Sequence, residues 1–155
     1  MTIKHFSTAS IFILIFIAVF TSCTEDKYME WKIINNKSWA KIVADTTLKT
    51  TASGVRYRID TIGYTSRRPN INSEILYTVE GTLADGTNFQ IYTKLTGALS
   101  DLISGLKEGI PLMQNNDVYT FYVPSSLGYG DTKTNTSIPP GSVLKFRIKL
   151  ITSIH

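Results

Sequence analysis

The end of the chain sets the strongest constraint on its fold. Leu144, Phe146, Ile148 and Leu150 are apolar, and Lys145, Arg147 and Lys149 alternate with them. A period of two places the apolar set on one face of a strand and the cations on the other. The pattern recurs where Val55, Tyr57 and Ile59 alternate with Arg56, Arg58 and Asp60, and again from Ile75, Tyr77 and Val79 to Gly81 and Leu83. Asp85-Gly86 is a hairpin signal, with a returning strand at Phe89 and Ile91. Val118 to Val123 is a continuous apolar and aromatic run that suits a buried strand.

Half-buried strands need a cover for their apolar face. Leu99, Leu102, Ile103 and Leu106 fall at i, i+3, i+4 and i+7, which predicts one short amphipathic helix that Gly109 and Pro111 stop. A second helix is expected from Tyr28 to Ala44, through Trp31, Ile34, Trp39, Ile42 and Val43. That helix has two uses: packing on its own domain or pairing with a second copy. Asp45 to Ser53 reads as a Thr-rich linker, and Gly63 to Asn72 and Ser125 to Gly141 read as loops. The expectation is an α+β domain: an antiparallel sheet of four to six strands wrapped around one short helix, with an N-terminal helical extension.

The N-terminus is of another kind. Ile11 to Phe20 is an unbroken apolar run, followed by Thr21-Ser22-Cys23. Ten residues span only about 15 Å as a helix, half a bilayer core, so the run reads as a signal-peptide core. The small residues before Cys23 resemble a bacterial lipobox, although Phe20 stands where Leu is commoner. The expected organisation is a lipoprotein signal peptide over 1–22, a tether and helix over 23–50, and a domain over 51–155. Cys23 is then the lipidation site, and the destination is the cell envelope, on a bacterial membrane. Acyl chains on one Cys, at about 0.8 kcal/mol per buried CH₂, form a firm anchor.

Composition removes most chemistries. The chain has 155 residues, one Cys and two His, and those His are His5 in the leader and His155 at the end. A domain without internal His, and with one Cys outside it, suits no Ser-His-Asp triad, no Cys-His pair and no His or Cys metal site. No metal and no cofactor is expected. Sixteen Lys and Arg face twelve Asp and Glu, but the cations are scattered, so no nucleic-acid partner is expected.

Three segments occur in a specific order. They are Val79-Glu80-Gly81-Thr82-Leu83-Ala84-Asp85-Gly86-Thr87-Asn88-Phe89, Leu102-Ile103-Ser104-Gly105-Leu106-Lys107-Glu108-Gly109, and Val123-Pro124-Ser125-Ser126-Leu127-Gly128-Tyr129-Gly130 with Ile138-Pro139-Pro140-Gly141 beyond it. Taken singly, Phe89, Phe146 and Leu102 read as core, and Tyr129 reads equally as a turn tyrosine. Taken together, the segments resemble the FKBP family of peptidyl-prolyl cis-trans isomerases, in its bacterial secreted branch, over about Thr50 to Leu150.

The resemblance implies an FKBP-like fold and rotation of X-Pro bonds, a reaction that breaks no covalent bond. It implies that Tyr129, Phe89 and Phe146 are the catalytic residues, with Tyr129 holding a substrate carbonyl and the two Phe walling the proline. It implies substrate-binding positions at Leu102, Ile103, Leu106, Ile138 and Val79, the Ile103 N–H being a donor. The implied partners are proline-containing unfolded or exported polypeptides, and a macrolide as ligand. This chain departs from the family at Val79 (usually Tyr), Gln90 (usually Asp) and Leu106 (usually Trp). These departures keep a second reading open, a catalytically weak or inactive chaperone or binding module. Tyr92 is the nearest candidate for the aromatics that normally follow Phe89.

Overall fold

A computed structural model describes residues 28–131 and 137–154. The expected leader, Cys23, the tether before Tyr28 and His155 lie outside them. Among the described residues no helix is long and apolar enough to cross a membrane.

The elements are α1 (Met29–Ala44), β1 (Lys49–Thr50), β2 (Arg56–Thr61), β3 (Glu74–Leu83), β4 (Asn88–Ala98), α2 (Ser104–Gly109), β5 (Val118–Val123) and β6 (Leu144–Ile154). Short 3-10 turns at Leu99–Asp101, Ile110–Leu112 and Ser125–Leu127 join them. The strands form one antiparallel six-stranded sheet in the order β1-β2-β5-β6-β3-β4. The alternation read from β6 holds along its length, with Leu144, Phe146, Ile148 and Leu150 buried and Lys145, Arg147 and Lys149 exposed. In β3, Ile75, Tyr77, Val79, Gly81 and Leu83 share the inner face.

That face closes on α2, which approaches the sheet through glycine. A Cβ at Gly105 would lie 2.6 Å from Val123 Cγ1, and one at Gly109 would lie 2.6 Å from Phe121 Cε1. Two glycines four residues apart make a flat helix face, and β5 packs directly on it. Beyond Phe121 the core continues as rings. Tyr57 stacks on Tyr119 at 5.8 Å, and both pack against Phe121.

Two expectations change here. The apolar spacing from Leu99 to Leu106 does not make one helix. A 3-10 turn carries Leu99 into the core, and Leu102 and Ile103 are then extended, with ψ of 164° and 153°. The break lets Leu102 and Ile103 leave the core side that Leu99 occupies. The helix ends at Gly109, as expected, but Pro111 does not stop the chain's coiling. It sits within the following 3-10 turn, where its missing N–H costs nothing.

The stretch expected to be a linker joins the sheet at β1, paired through Lys49↔Tyr57 and Thr50↔Arg56. The reason is Glu108 on α2. Its carboxylate accepts from Thr51 Oγ1 at 2.9 Å and from the Ser53 N–H at 3.0 Å. Burial pushes that carboxyl up, but these hydrogen bonds outweigh it and hold the pKa below its ordinary value.

Helix α1 packs on its own domain, and its anchor is polar. Asn35 is the buried residue of the helix, 1% exposed. Its Oδ1 accepts from the Val143 N–H at 2.8 Å, and its Nδ2 donates to Trp31 O at 2.8 Å. Trp31 Nε1 donates to Ser142 Oγ at 3.0 Å, and Ser142 donates on to Pro139 O at 2.6 Å. Ile34 and Val43, counted in the expected apolar stripe, are exposed.

On the outer sheet face Asp60 joins β2, β5 and β6. It accepts from Thr120 Oγ1 at 2.6 Å, pairs with Arg58 at 2.7 Å and faces Arg147 at 3.8 Å. Burial raises its pKa, and the hydrogen bonds and cations together bring it below the usual carboxylate value.

Two outcomes follow for stability. Replacing Asn35 by Ala leaves the buried Val143 N–H unpaired, so urea unfolding should show a loss of about 1–3 kcal/mol and faster hydrogen exchange at that amide. Asp60 and Glu108 have depressed folded-state pKa values. Their stabilisation is complete above the unfolded values near 4 and disappears as pH falls through the lower folded ones. Thermal melts should therefore hold level above about pH 5 and decline below about pH 4, and Asp60→Asn should make that decline shallower.

Candidate active site

A cavity of about 160 Å³ opens between the inner sheet face and the start of α2. Strand β3 supplies Tyr77 and Val79, β4 supplies Gln90, and β6 supplies Phe146. The broken segment before α2 supplies Asp101, Leu102 and Ile103, and the helix supplies Leu106. Tyr129 closes it from the loop after β5. Leu106 and Phe146 are buried, Leu102 and Ile103 are partly exposed, and Tyr129 is 36% exposed. The surface is apolar at the base, with hydroxyl, amide and carboxylate groups around it.

Most of the expected site residues meet here: Tyr129, Phe146, Leu102, Ile103, Leu106 and Val79 all line the cavity. Phe89 and Ile138 do not. Phe89 stands edge-on to Phe146, centroids 5.5 Å apart and planes at 87°, and so supports the wall from behind. Gly81 makes room for it, since a Cβ there would lie 2.7 Å from Phe89 Cζ. Ile138 is buried in the hydrophobic core. Tyr92 is exposed and stands outside the cavity.

The chain break before α2 has a chemical consequence. Ile103 is the residue before the first helical turn, and its C=O accepts from Leu106 and Lys107 at 3.0 Å each. No protein acceptor is found for its own N–H among the described residues. A helix start leaves such donors for a ligand.

Three lining residues lie outside the expected site positions: Gln90, Tyr77 and Asp101. Gln90 was read only as a departure, yet its side chain borders the cavity. Tyr77 was read only as a core position, and burial pushes its hydroxyl pKa up. The period of two put Tyr77 on the inner face, but it carries no information about which inner-face residues meet the cavity.

The family of FKBP-type peptidyl-prolyl cis-trans isomerases matches residues 65–151, which hold every lining residue of this cavity. The chain belongs to that family. Among similar FKBP-type relatives, a probable isomerase named FkpA from Neisseria meningitidis is 36% identical over 109 residues, covering 67% of this chain and 39% of its own length. An outer membrane protein named MIP from Legionella longbeachae is 33% identical over 103 residues, covering 64% of this chain and 44% of its own. This chain thus spans less than half the length of these relatives. A crystal structure of a peptidyl-prolyl cis-trans isomerase from Pseudomonas syringae superposes with a TM-score of 0.76 at 25% identity, over 85% of this chain and 99% of that one. The FKBP fold, seen here as the sheet around α2, and the N-terminal helix therefore rest on sequence and structure together.

Proposed function

We propose that this chain is a peptidyl-prolyl cis-trans isomerase that assists the folding of exported proteins from a lipid anchor in the cell envelope. The observation that carries the proposal is the open cavity bounded by Leu102, Ile103, Leu106 and Phe146, with Tyr129 at its mouth.

The reaction asks little of the protein in acid–base terms. Rotation about a peptide bond meets a barrier of about 18–20 kcal/mol because resonance stiffens the C–N bond. An unassisted X-Pro bond therefore turns over in tens of seconds or longer. A catalyst must favour the twisted amide over the planar one. The twisted form has lost resonance, so its carbonyl is less polar and loses less on leaving water.

The cavity supplies that environment. Liquid water takes about 30 Å³ per molecule, so the cavity displaces roughly five waters, room for a pyrrolidine ring. Leu106 forms the base beneath the ring, and Phe146, braced edge-on by Phe89, forms one wall. Burying the ring's three CH₂ groups contributes about 2.4 kcal/mol at ~0.8 each. In this reading the Tyr129 hydroxyl and the Ile103 N–H, both on residues that line the cavity, hold the flanking peptide carbonyls and fix the chain on either side of the rotating bond.

The alternative of an inactive FKBP-like binding module takes its support from Val79, Gln90 and Leu106. The open cavity favours turnover over that alternative, because neighbouring side chains do not fill it. Whichever holds, the same cleft is the seat for proline-containing polypeptides and for a macrolide.

A protease-coupled assay on proline peptides is the test. Wild type should accelerate isomerisation, and Tyr129→Phe should lower kcat/KM by about three- to tenfold, the value of one hydrogen bond. Absence of acceleration would leave only the binding module. The anchor is tested separately: Cys23→Ser should move the protein from the membrane fraction to the soluble fraction, with isomerase activity of the soluble form unchanged.

A further inference from the structure

Tyr77 has a feature that neither packing nor the proposed chemistry has used. It lies mid-strand in β3, 4% exposed, and its side chain borders the cavity. Its hydroxyl has no partner among the described residues. A buried polar group normally has a hydrogen-bond partner, and one without is unfavourable unless something visits it.

The backbone around Tyr77 is irregular as well. The β3–β4 register shifts between Tyr77 and Val79, and the β3–β6 register shifts between Leu76 and Tyr77. Such shifts bend a strand and re-aim the side chain beside them, and they gather near active sites. Here both neighbours of β3 shift at the same residue. Val79, two positions on and on the same face, is small and leaves space along that wall. Gln90, on the adjoining strand, adds a carboxamide to the same cavity. The wall formed by Tyr77, Val79 and Gln90 is therefore neutral and carries one orphan donor.

We propose that Tyr77 is a substrate-contacting residue, whose hydroxyl donates to a backbone carbonyl of the proline-containing peptide seated in the cavity. The acceptor is backbone rather than side chain because the cavity has room for the ring and little else. The peptide group next to that ring is then the polar group within reach of the wall. In the free protein no described group accepts from this hydroxyl, and the bound peptide supplies the acceptor. This wall carries no charge of its own and so suits a carbonyl, while the carboxylate that lines the cavity, Asp101, stands on the segment before α2. This inference rests on the cavity being the proline site.

The experiment compares wild type with Tyr77→Phe, which keeps the ring and removes only the hydroxyl. Titration with an X-Pro tetrapeptide, and with its Ala-for-Pro analogue, reads binding independently of turnover. The coupled assay then reads kcat and KM. Expected is a three- to tenfold loss of peptide affinity and of kcat/KM, with a melting temperature equal to or above wild type. Affinity and kcat/KM within twofold of wild type would overturn the proposal, as would a clear fall in melting temperature, which would mean that the hydroxyl is bonded inside the free protein. Wild type that binds the tetrapeptide without turning it over would remove the isomerase reading, and the binding arm would still decide Tyr77. Wild type that binds neither peptide would remove the proline site and Tyr77's role with it.

Discussion

The contact of α2 with β5 sets the dimensions of everything else. Gly105 and Gly109 bring a helix backbone against Val123 and Phe121 with no side chain between them. A sheet that wraps so short a helix at so small a distance cannot be filled evenly. The six residues of α2 pack on β5, and the cavity lies at the helix start, lined there by Leu102, Ile103 and Phe146. The cavity is thus the unfilled remainder of a core whose helix is too short to cover the sheet. A larger residue at either glycine would lift the helix and move the base at Leu106 with it.

The N-terminal helix is fastened to the segment that leads into β6. Its apolar residues do little of the holding, since Ile34 and Val43 face solvent. Asn35 instead substitutes for a strand partner at Val143, and Trp31 reaches Pro139 through Ser142. Pro139 and Ser142 lie in the segment that leads from Ile138 to β6. Hydrogen bonds have fixed lengths and directions, so a polar anchor specifies where this segment sits more narrowly than apolar contact does. The helix thus fixes the approach to β6, and neither it nor the residues it bonds line the cavity.

How far the sequence could be read depends on which physics each residue obeys. Strand alternation is local and has a fixed period, so β2, β3 and β6 were legible from their own residues. The helix at Tyr28 to Ala44 was legible as a helix but not in its mode of attachment, because Asn35 has no apolar signature and its partner is over a hundred residues away. The stretch before Gly54 read as a linker because Thr and Ser are polar. What pulls it into the sheet is Glu108, on a different element. Leu99 to Leu106 had a helical period and a broken backbone, since the spacing of apolar residues fixes which of them turn inward but not whether one helix carries them all. The ordered motifs pointed to Tyr129, Phe146, Leu102, Ile103, Leu106 and Val79, which all line one cavity. They did not point to Tyr77, which lines the same cavity and lies beside two register shifts that no residue pattern announces.

The three departures from the family's usual residues become one change when placed in the cavity. The Tyr and Asp usual at these two positions would put a hydroxyl and a charge on one wall. Val79 and Gln90 take both away, so no carboxylate is left buried without its partner. The volume given up at Val79 lies on the same face as Tyr77, two residues earlier, where a phenol now borders the space. A hydroxyl has moved along the strand and a charge has disappeared. For a reaction whose transition state is less polar than its ground state, the loss of a buried charge does not remove the driving force. In the proposed mechanism, desolvation of the amide by Leu106 and Phe146 needs no charge at all. In the proposed mechanism the site depends on an apolar base, and Leu106 supplies one with less surface than Trp and without the indole N–H donor. What the smaller base gives up is contact area with the proline, which enters binding before it enters the rotation barrier, because it touches planar and twisted forms alike.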